Sequence, residues 1–242
     1  MEQGKSTFMR TPSGIGRDAA AAASVASAEE ALAGLGLRVR RIPPGEPLGD
    51  VSRLRREVYF HEQGLFGDRS KRVTDGLDDC GTSVVVEKGG HAVAALRLHD
   101  FSPLAVQVEY GSLFQLDAFA RAWPLSQIAV GTRFAVQAEH RSKAVVDRLV
   151  EEAYRWAQES RIQFCLIACE PFLHGMFEHY GFREYLPPAI LPGGVDLLRM
   201  VLVLDDEPHL SECGSPLLHL VRDPVRAMPA KAWLTRSFNV AG

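Results

Sequence analysis

Only four cysteines occur in the 242 residues, Cys80, Cys165, Cys169 and Cys213, and no two of them form a CxxC pair. Without such spacing there is neither a compact metal-ligand cluster nor a redox couple, and the thiols read as small buried apolar groups. No long uncharged apolar run is present. The early tract AAAAASVASAEEALAG is rich in Ala and Ser but lacks the apolar core of a membrane span. Charge of one sign is also missing: 27 basic against 30 acidic residues leave a formal net charge of −3, which gives no overall reason to expect nucleic acid. There is no GxSxG, so the serine-hydrolase elbow is excluded. HEQG at His61 has no second histidine, so it is not the zinc motif HExxH. No internal repeat or heptad tract is visible. The expectation is a soluble cytoplasmic protein with no integral membrane segment and no nucleic-acid partner, a cleavable targeting segment being the alternative for the first residues.

What is present is an ordinary globular composition, 46% hydrophobic and 24% charged, in a length that suits one main domain with extra terminal segments. Residues 1–33 read as a flexible Ala/Ser-rich entrance in which Ala19 to Ala33 can form a short helix. A domain over 34–208 begins with LRVRRI, and 209–242 reads as a packed or partly flexible tail with several breakers. VSRLRREVYFHEQGLF carries an incomplete apolar stripe and predicts a helix. TSVVVEKGGHAVAALRLHD predicts a hairpin turning at Gly89 and Gly90. LAVQVEYGS alternates like a strand, and LFQLDAFARAW predicts a helix before SQIAVGTRFAV returns to strand character. From Ser142 to Ser160, Val145, Leu149, Ala153 and Trp156 line one helical face. IQFCLIACE then predicts a buried strand, PFLHGMFEHY a helix begun by Pro171, and VDLLRMVLVLDD a late strand.

The order strand, polar bend, helix, strand, helix over residues 132–182 resembles the GNAT-like N-acyltransferase superfamily, with GTRFAV, EHRSK and MFEHYGF as its best pieces. VYFHEQGLF, VTDGLDD, AVAALRL and GTRFAVQAEHR are similar to the branch of acyl-homoserine-lactone synthases and long-chain N-acyl amino acid synthases. The resemblance implies an α/β fold with a GNAT-like mixed, bent central β-sheet wrapped by helices. It further implies a splayed strand pair that admits the pantetheine arm of coenzyme A or acyl-carrier protein. No tightly bound cofactor and no metal are expected, the donor thioester being a substrate, and acyl-carrier protein is the implied partner.

Several positions depart from the family pattern. The phosphate loop of the family runs Arg or Gln, two spacers, Gly, one spacer, then Gly or Ala, and here Arg141, Ala144 and Val146 occupy those places. A β-branched Val146 hinders close backbone approach, and His140, Arg141 and Lys143 are the groups that can compensate by meeting phosphate or an acidic carrier surface. That departure tilts the donor towards acyl-carrier protein. Phe134 and Val136, with Ala144, complete the implied donor-binding set. Val130 stands where relatives often carry an acid, and Phe177 where they carry a tyrosine four residues before the glycine of the GF motif.

An amine must be neutral to attack a thioester, so a proton acceptor and dipoles for the oxyanion are required. Glu109 in QVEY is the first candidate proton acceptor, read as a residue beside the central sheet, an exposed carboxylate or a structural ion-pair partner being the alternative. Tyr180 is a candidate proton donor to the leaving thiolate and His174 a further proton-transfer candidate, the alternatives being a structural aromatic and an ordinary helix or pocket residue. Strict alternation along GTRFAV puts Val130, Thr132, Phe134 and Val136 on one face and Gly131, Arg133 and Ala135 on the other. Arg133 and Arg97 are expected either to orient an acceptor carboxylate or to hold an acidic loop residue. Asp75, Asp78 and Asp79 in DGLDD read as a loop or acceptor-recognition element, because their spacing is not that of an EF-hand. The function expected is transfer of a fatty acyl group to the amine of an amino acid or related metabolite. An acyl-homoserine-lactone synthase and a catalytically lapsed thioester-binding module are the alternatives.

Overall fold

The computed structural model describes residues 36–62, 73–191 and 194–240, so the expectations for 1–33 and for the end of the VYFHEQGLF stretch lie outside the described residues. A seven-stranded sheet organises the unit from Leu37 onward. Its strands are β1 (Leu37–Ile42), β2 (Thr82–Lys88), β3 (His91–Asp100), β4 (Ile128–Val136), β5 (Phe164–Cys169), β6 (Arg183–Leu191) and β7 (Val195–Val203), in the spatial order β1-β2-β3-β4-β5-β7-β6. Every neighbouring pair is antiparallel except β4 and β5, which run parallel. The helices are α1 (Asp50–Arg56), α2 (Leu104–Tyr110), α3 (Leu116–Ala120), α4 (Lys143–Glu159), α5 (His174–His179), α6 (Glu207–Glu212) and α7 (Pro224–Phe238). This is the mixed, bent sheet wrapped by helices that the sequence resemblance implies.

The β2–β3 hairpin turns at Gly89 and Gly90, whose φ angles of 58° and 81° are the left-handed pair that a two-residue turn requires. The 17 residues of α4 bury Val145, Leu149, Val150, Tyr154 and Ala157 along one stripe. Asp205, placed just after β7, fixes both α4 and the C-terminal segment. It accepts hydrogen bonds from Tyr154 Oη at 2.9 Å and Gln158 Nε2 at 2.8 Å, and its two carboxylate oxygens accept from the backbone N–H groups of Arg222 and Asp223. Beyond it, α7 sets Trp233 and Phe238 around buried Phe119, with ring centroids 4.9 and 5.4 Å away. Aromatic pairs of this kind contribute about 0.5–1.5 kcal/mol each beyond the area they bury.

Two local expectations are corrected. LAVQVEY is the helix α2, preceded by Pro103, rather than a strand. Its period of two is genuine, but a run this short fits either period, and the packing selects the helical one. Val106 and Tyr110, four residues apart, pack on the core, whereas Leu104 and Val108, also four apart, are 71% and 76% exposed. Strict alternation along β4 also fails. Thr132 pairs with Arg97 and Ala135 with Ala95, so Arg133 and Phe134 together oppose the single residue Leu96. This β-bulge, with Arg133 at φ 55°, reverses the facing of everything after it.

Candidate active site

The parallel β4–β5 pairing runs from Ile128↔Phe164 to Gly131↔Ile167 and then stops. At the last pair the strands are crowded: a Cβ on Gly131 would lie 3.3 Å from Ile167 Cγ2. Two residues later the bulge bends β4 away, while β5 stays paired with β7 as far as Cys169↔Leu198. The result is a gap between two parallel strands, opened by one extra residue in β4.

Two cavities meet at this gap. The larger, about 550 Å³, is lined mainly by apolar groups including Phe134, Val136, Val146 and Met176, and it reaches the start of α4 at Arg141, Ser142 and Lys143. The smaller, about 240 Å³, lies along the divergence itself and is lined by Gly131, Thr132, Arg133, Cys169, Glu170 and Tyr59, among others. Phe134, Phe172 and Leu173 line both. Phe172 is 71% exposed, a large aromatic left at the junction of the two cavities, while Phe134 packs edge-on against Phe177 at 5.9 Å.

Ser142 is the N-cap of α4 in extended conformation, yet its side chain makes no capping bond. The first-turn N–H groups have no intrahelical acceptors by geometry and carry the positive end of the helix dipole. Arg141 donates from Nε to the Val136 carbonyl at 3.2 Å, which ties the loop back to β4. Lys143 pairs with Asp147 at 2.7 Å, one turn along the helix.

Below the smaller cavity lies a buried network of charges. Arg97, fully buried on β3, donates to Asp75 and to Asp78, the latter at 2.9 Å, and its Nε donates to Thr132. Arg55 of α1 also donates to Asp78 at 2.9 Å, and Arg133 donates from Nη2 to Asp75 at 2.5 Å. Burial opposes ionisation of Asp75, but the hydrogen bonds from Arg97 and Arg133 outweigh it and hold the carboxyl well below the usual range. Asp78 is lowered in the same way, burial being outweighed chiefly by Arg55. Burial raises the nearby Tyr59 hydroxyl to about 12, so it stays protonated and donates to the Phe134 carbonyl at 3.1 Å. Of the two expectations for Arg97 and Arg133, the hold on an acidic loop residue is therefore what the structure displays. Among the described residues Arg133 is bound through Nη2 alone, and it lines the smaller cavity.

Of the residues expected to meet the donor, Phe134, Val136, Arg141 and Lys143 come together in the larger cavity. His140 and Ala144 flank that group without lining it, and His140 Nδ1 is buried with no hydrogen-bond partner among the described residues. Tyr180 lines the same cavity, but its hydroxyl donates to Asp147 at 2.7 Å; burial and that bond push its pKa well up. His174 lines neither cavity and sits 3.0 Å from Glu184 and 3.4 Å from Glu178. Glu109 is exposed on α2, beside Leu104, Val108 and the Asp75 loop, and lines neither cavity of the gap. Sequence reasoning missed Val58, Phe172, Leu173, Met176 and His179 as wall residues. Those on α5 and the turn before it read as ordinary helix-face residues, so no sequence signal marks them. Among the described residues no group of three or more His, Cys, Asp or Glu is placed to hold a metal, and no helix is long and apolar enough to cross a membrane.

Residues 50–201 match the family model described as N-acyl amino acid synthase FeeM. Similar solved structures include FeeM from uncultured soil microbes, at 15% identity over 77% of this chain and 98% of that one, with a TM-score of 0.57. They also include the coenzyme-A-dependent acyl-homoserine lactone synthase BjaI, at 19% identity over 75% and 91% with a TM-score of 0.57. A third, TofI in a ternary complex with an inhibitor and MTA, has 18% identity over 78% and 99% and a TM-score of 0.56. At these identities the structures show a shared fold. No curated protein matches the sequence.

Proposed function

Because the chain belongs to the N-acyl amino acid synthase FeeM family, and so is an N-acyltransferase of the GNAT superfamily, we propose that it moves a fatty acyl group from a carrier-protein or coenzyme A thioester to an amino acid or related small amine. The observation that carries this reading is the β4–β5 gap, with an apolar cavity leading from it to the uncapped start of α4. An extended pantetheine arm suits that shape: its thioester reaches the gap while its phosphate meets the helix amides, Arg141 and Lys143. Val146 lines this end of the cavity and narrows the backbone approach that a second phosphate would need. A carrier-protein donor, with one phosphate on its arm, is the better fit.

The acceptor enters from the smaller cavity, where Arg133 offers guanidinium donors to a carboxylate. The amine attacks the thioester carbon directly, since Cys165 and Cys169 are buried and burial raises their thiols to about 12 and about 11, far from nucleophilic thiolates at neutral pH. Tyr180 stands at the donor cavity with its hydroxyl kept protonated by burial and the bond to Asp147, and a thiolate leaves readily enough for it not to be indispensable.

Incubating the purified protein with long-chain acyl-carrier protein, or with acyl-coenzyme A, and a mixed amino-acid pool tests this. An N-acyl amino acid detected intact by mass spectrometry, matched by thiol release, supports it. An acyl-homoserine lactone formed from S-adenosylmethionine instead would favour the second reading, which the similarity to BjaI motivates. No product from any donor would leave a thioester-binding module.

A further inference from the structure

The proposed reaction lacks a proton acceptor at the gap, since Glu109 is on an exposed helix and Val130 is buried and apolar. One acidic residue does line the smaller cavity. Glu170 follows the last residue of β5, immediately before Pro171, and shares that cavity with Thr132, Arg133 and Phe134 across the gap. Pro171 confines Glu170 to extended backbone, observed at φ −69° and ψ 150°, so the residue continues the line of β5 past the point where β4 has left it. The Glu170 backbone carbonyl accepts from Leu173 N–H, but its carboxylate makes no hydrogen bond or ion pair with any described residue. The other acids nearby are committed: Asp75 to Arg97 and Arg133, and Glu184 to His174.

We propose that Glu170 is the catalytic base and that, together with Arg133, it selects a zwitterionic α-amino acid as acceptor. This rests on the acyltransferase reading above. A cation and a free carboxylate on the two walls of one small cavity match the carboxylate and the ammonium of such a substrate. Glu170 takes a proton from the ammonium and becomes the neutral acid. The freed nitrogen lone pair forms the new C–N bond at the thioester carbonyl. The tetrahedral adduct then collapses with cleavage of the C–S bond, and the electron pair leaves on sulfur. The thiolate takes the second nitrogen proton, giving amide and free thiol, and Glu170 returns its proton to solvent. No oxidant, reductant or metal enters the balance.

The test compares the full-length protein with Glu170→Gln and Glu170→Asp, using as acceptors a productive amino acid and hydroxylamine, a weakly basic amine that is already neutral at pH 7.5. Thermal melting checks that each variant is folded. For Glu170→Gln the expected result is a kcat loss of 100-fold or more with the amino acid and less than 5-fold with hydroxylamine, with Glu170→Asp in between. A kcat for Glu170→Gln within 3-fold of the parent on the amino acid overturns the assignment while leaving the acyltransferase reading intact. An equal loss on both acceptors overturns it too, marking a structural role. If the unsubstituted protein acylates neither acceptor from either donor, the acyltransferase reading falls and the role of Glu170 falls with it.

Discussion

Arg133 donates to Asp75 at 2.5 Å, across 58 residues of sequence, from a backbone φ of 55°. An arginine in the left-handed region costs about 1 kcal/mol relative to extended backbone, and the same bulge that imposes this conformation ends the pairing of β4 with β5. The ion pair thus anchors the residue whose conformation opens the gap, and the DGLDD loop is a brace for the sheet.

Replacing Asp75 by Asn should lower unfolding free energy at pH 7 by about 2–3 kcal/mol, the scale of charge-assisted hydrogen bonds. Arg97 retains Asp78 and so is not left wholly unpaired. The Asp75 carboxyl is depressed in the folded protein, so its stabilising contribution is full above the unfolded value of about 3.9 and is lost as pH falls below it. Denaturant titrations of both proteins should therefore show a wide gap at pH 7 that narrows from about pH 4 downward. A gap independent of pH would contradict the linkage.

Arg133→Ala should act mainly on acceptor binding. Truncation removes the guanidinium from the smaller cavity while Arg97 keeps hold of Asp75, so steady-state kinetics should give an acceptor KM raised at least 10-fold with a donor KM within 2-fold of the parent. An unchanged acceptor KM would confine Arg133 to the structural network.

Val146→Gly should widen donor choice. The substitution frees the backbone at the cavity end beside Arg141 and Lys143 at a helix cost of about 0.5–1 kcal/mol, and KM for acyl-coenzyme A should fall relative to that for acyl-carrier protein. Measuring both donors on the same preparation gives the ratio, and a ratio that does not move would remove Val146 as the discriminating residue.

Tyr180→Phe leaves Asp147 paired with Lys143 alone. The thermal midpoint should drop by a few degrees, in line with about 1 kcal/mol for one hydrogen bond. Because that hydroxyl is already bonded to Asp147, turnover should fall less than 10-fold. A 100-fold fall would restore Tyr180 as the acid for the leaving thiolate.

Much of the scaffold was legible in the chain because it rests on local rules. Gly89 and Gly90 announce their hairpin, the apolar stripe of α4 has an unmistakable period, and the run through Cys165 and Cys169 is too apolar to lie anywhere but inside. Phe134, Val136, Arg141 and Lys143 could be gathered from the strand, bend and helix that carry them, since all stand within one short stretch. LAVQVEY could not be settled, as Leu104, Val106, Val108 and Tyr110 satisfy a strand period while Val106 and Tyr110 satisfy a helical one.

The sequence by itself determined the layered α/β arrangement, the polar bend before α4 and the absence of nucleophilic-cysteine or hydrolase motifs, because periodicity, turn residues and motif spacing are properties of neighbours along the chain. Tertiary structure decided the bulge at Arg133, the partnership of Arg97 and Arg133 with Asp75, and the placing of Glu170 rather than Glu109 beside the gap. Each of these depends on strand register and on contacts between segments far apart in the chain. One inserted residue in β4 reverses the facing of all that follow, and nothing in the neighbouring letters fixes where that insertion falls.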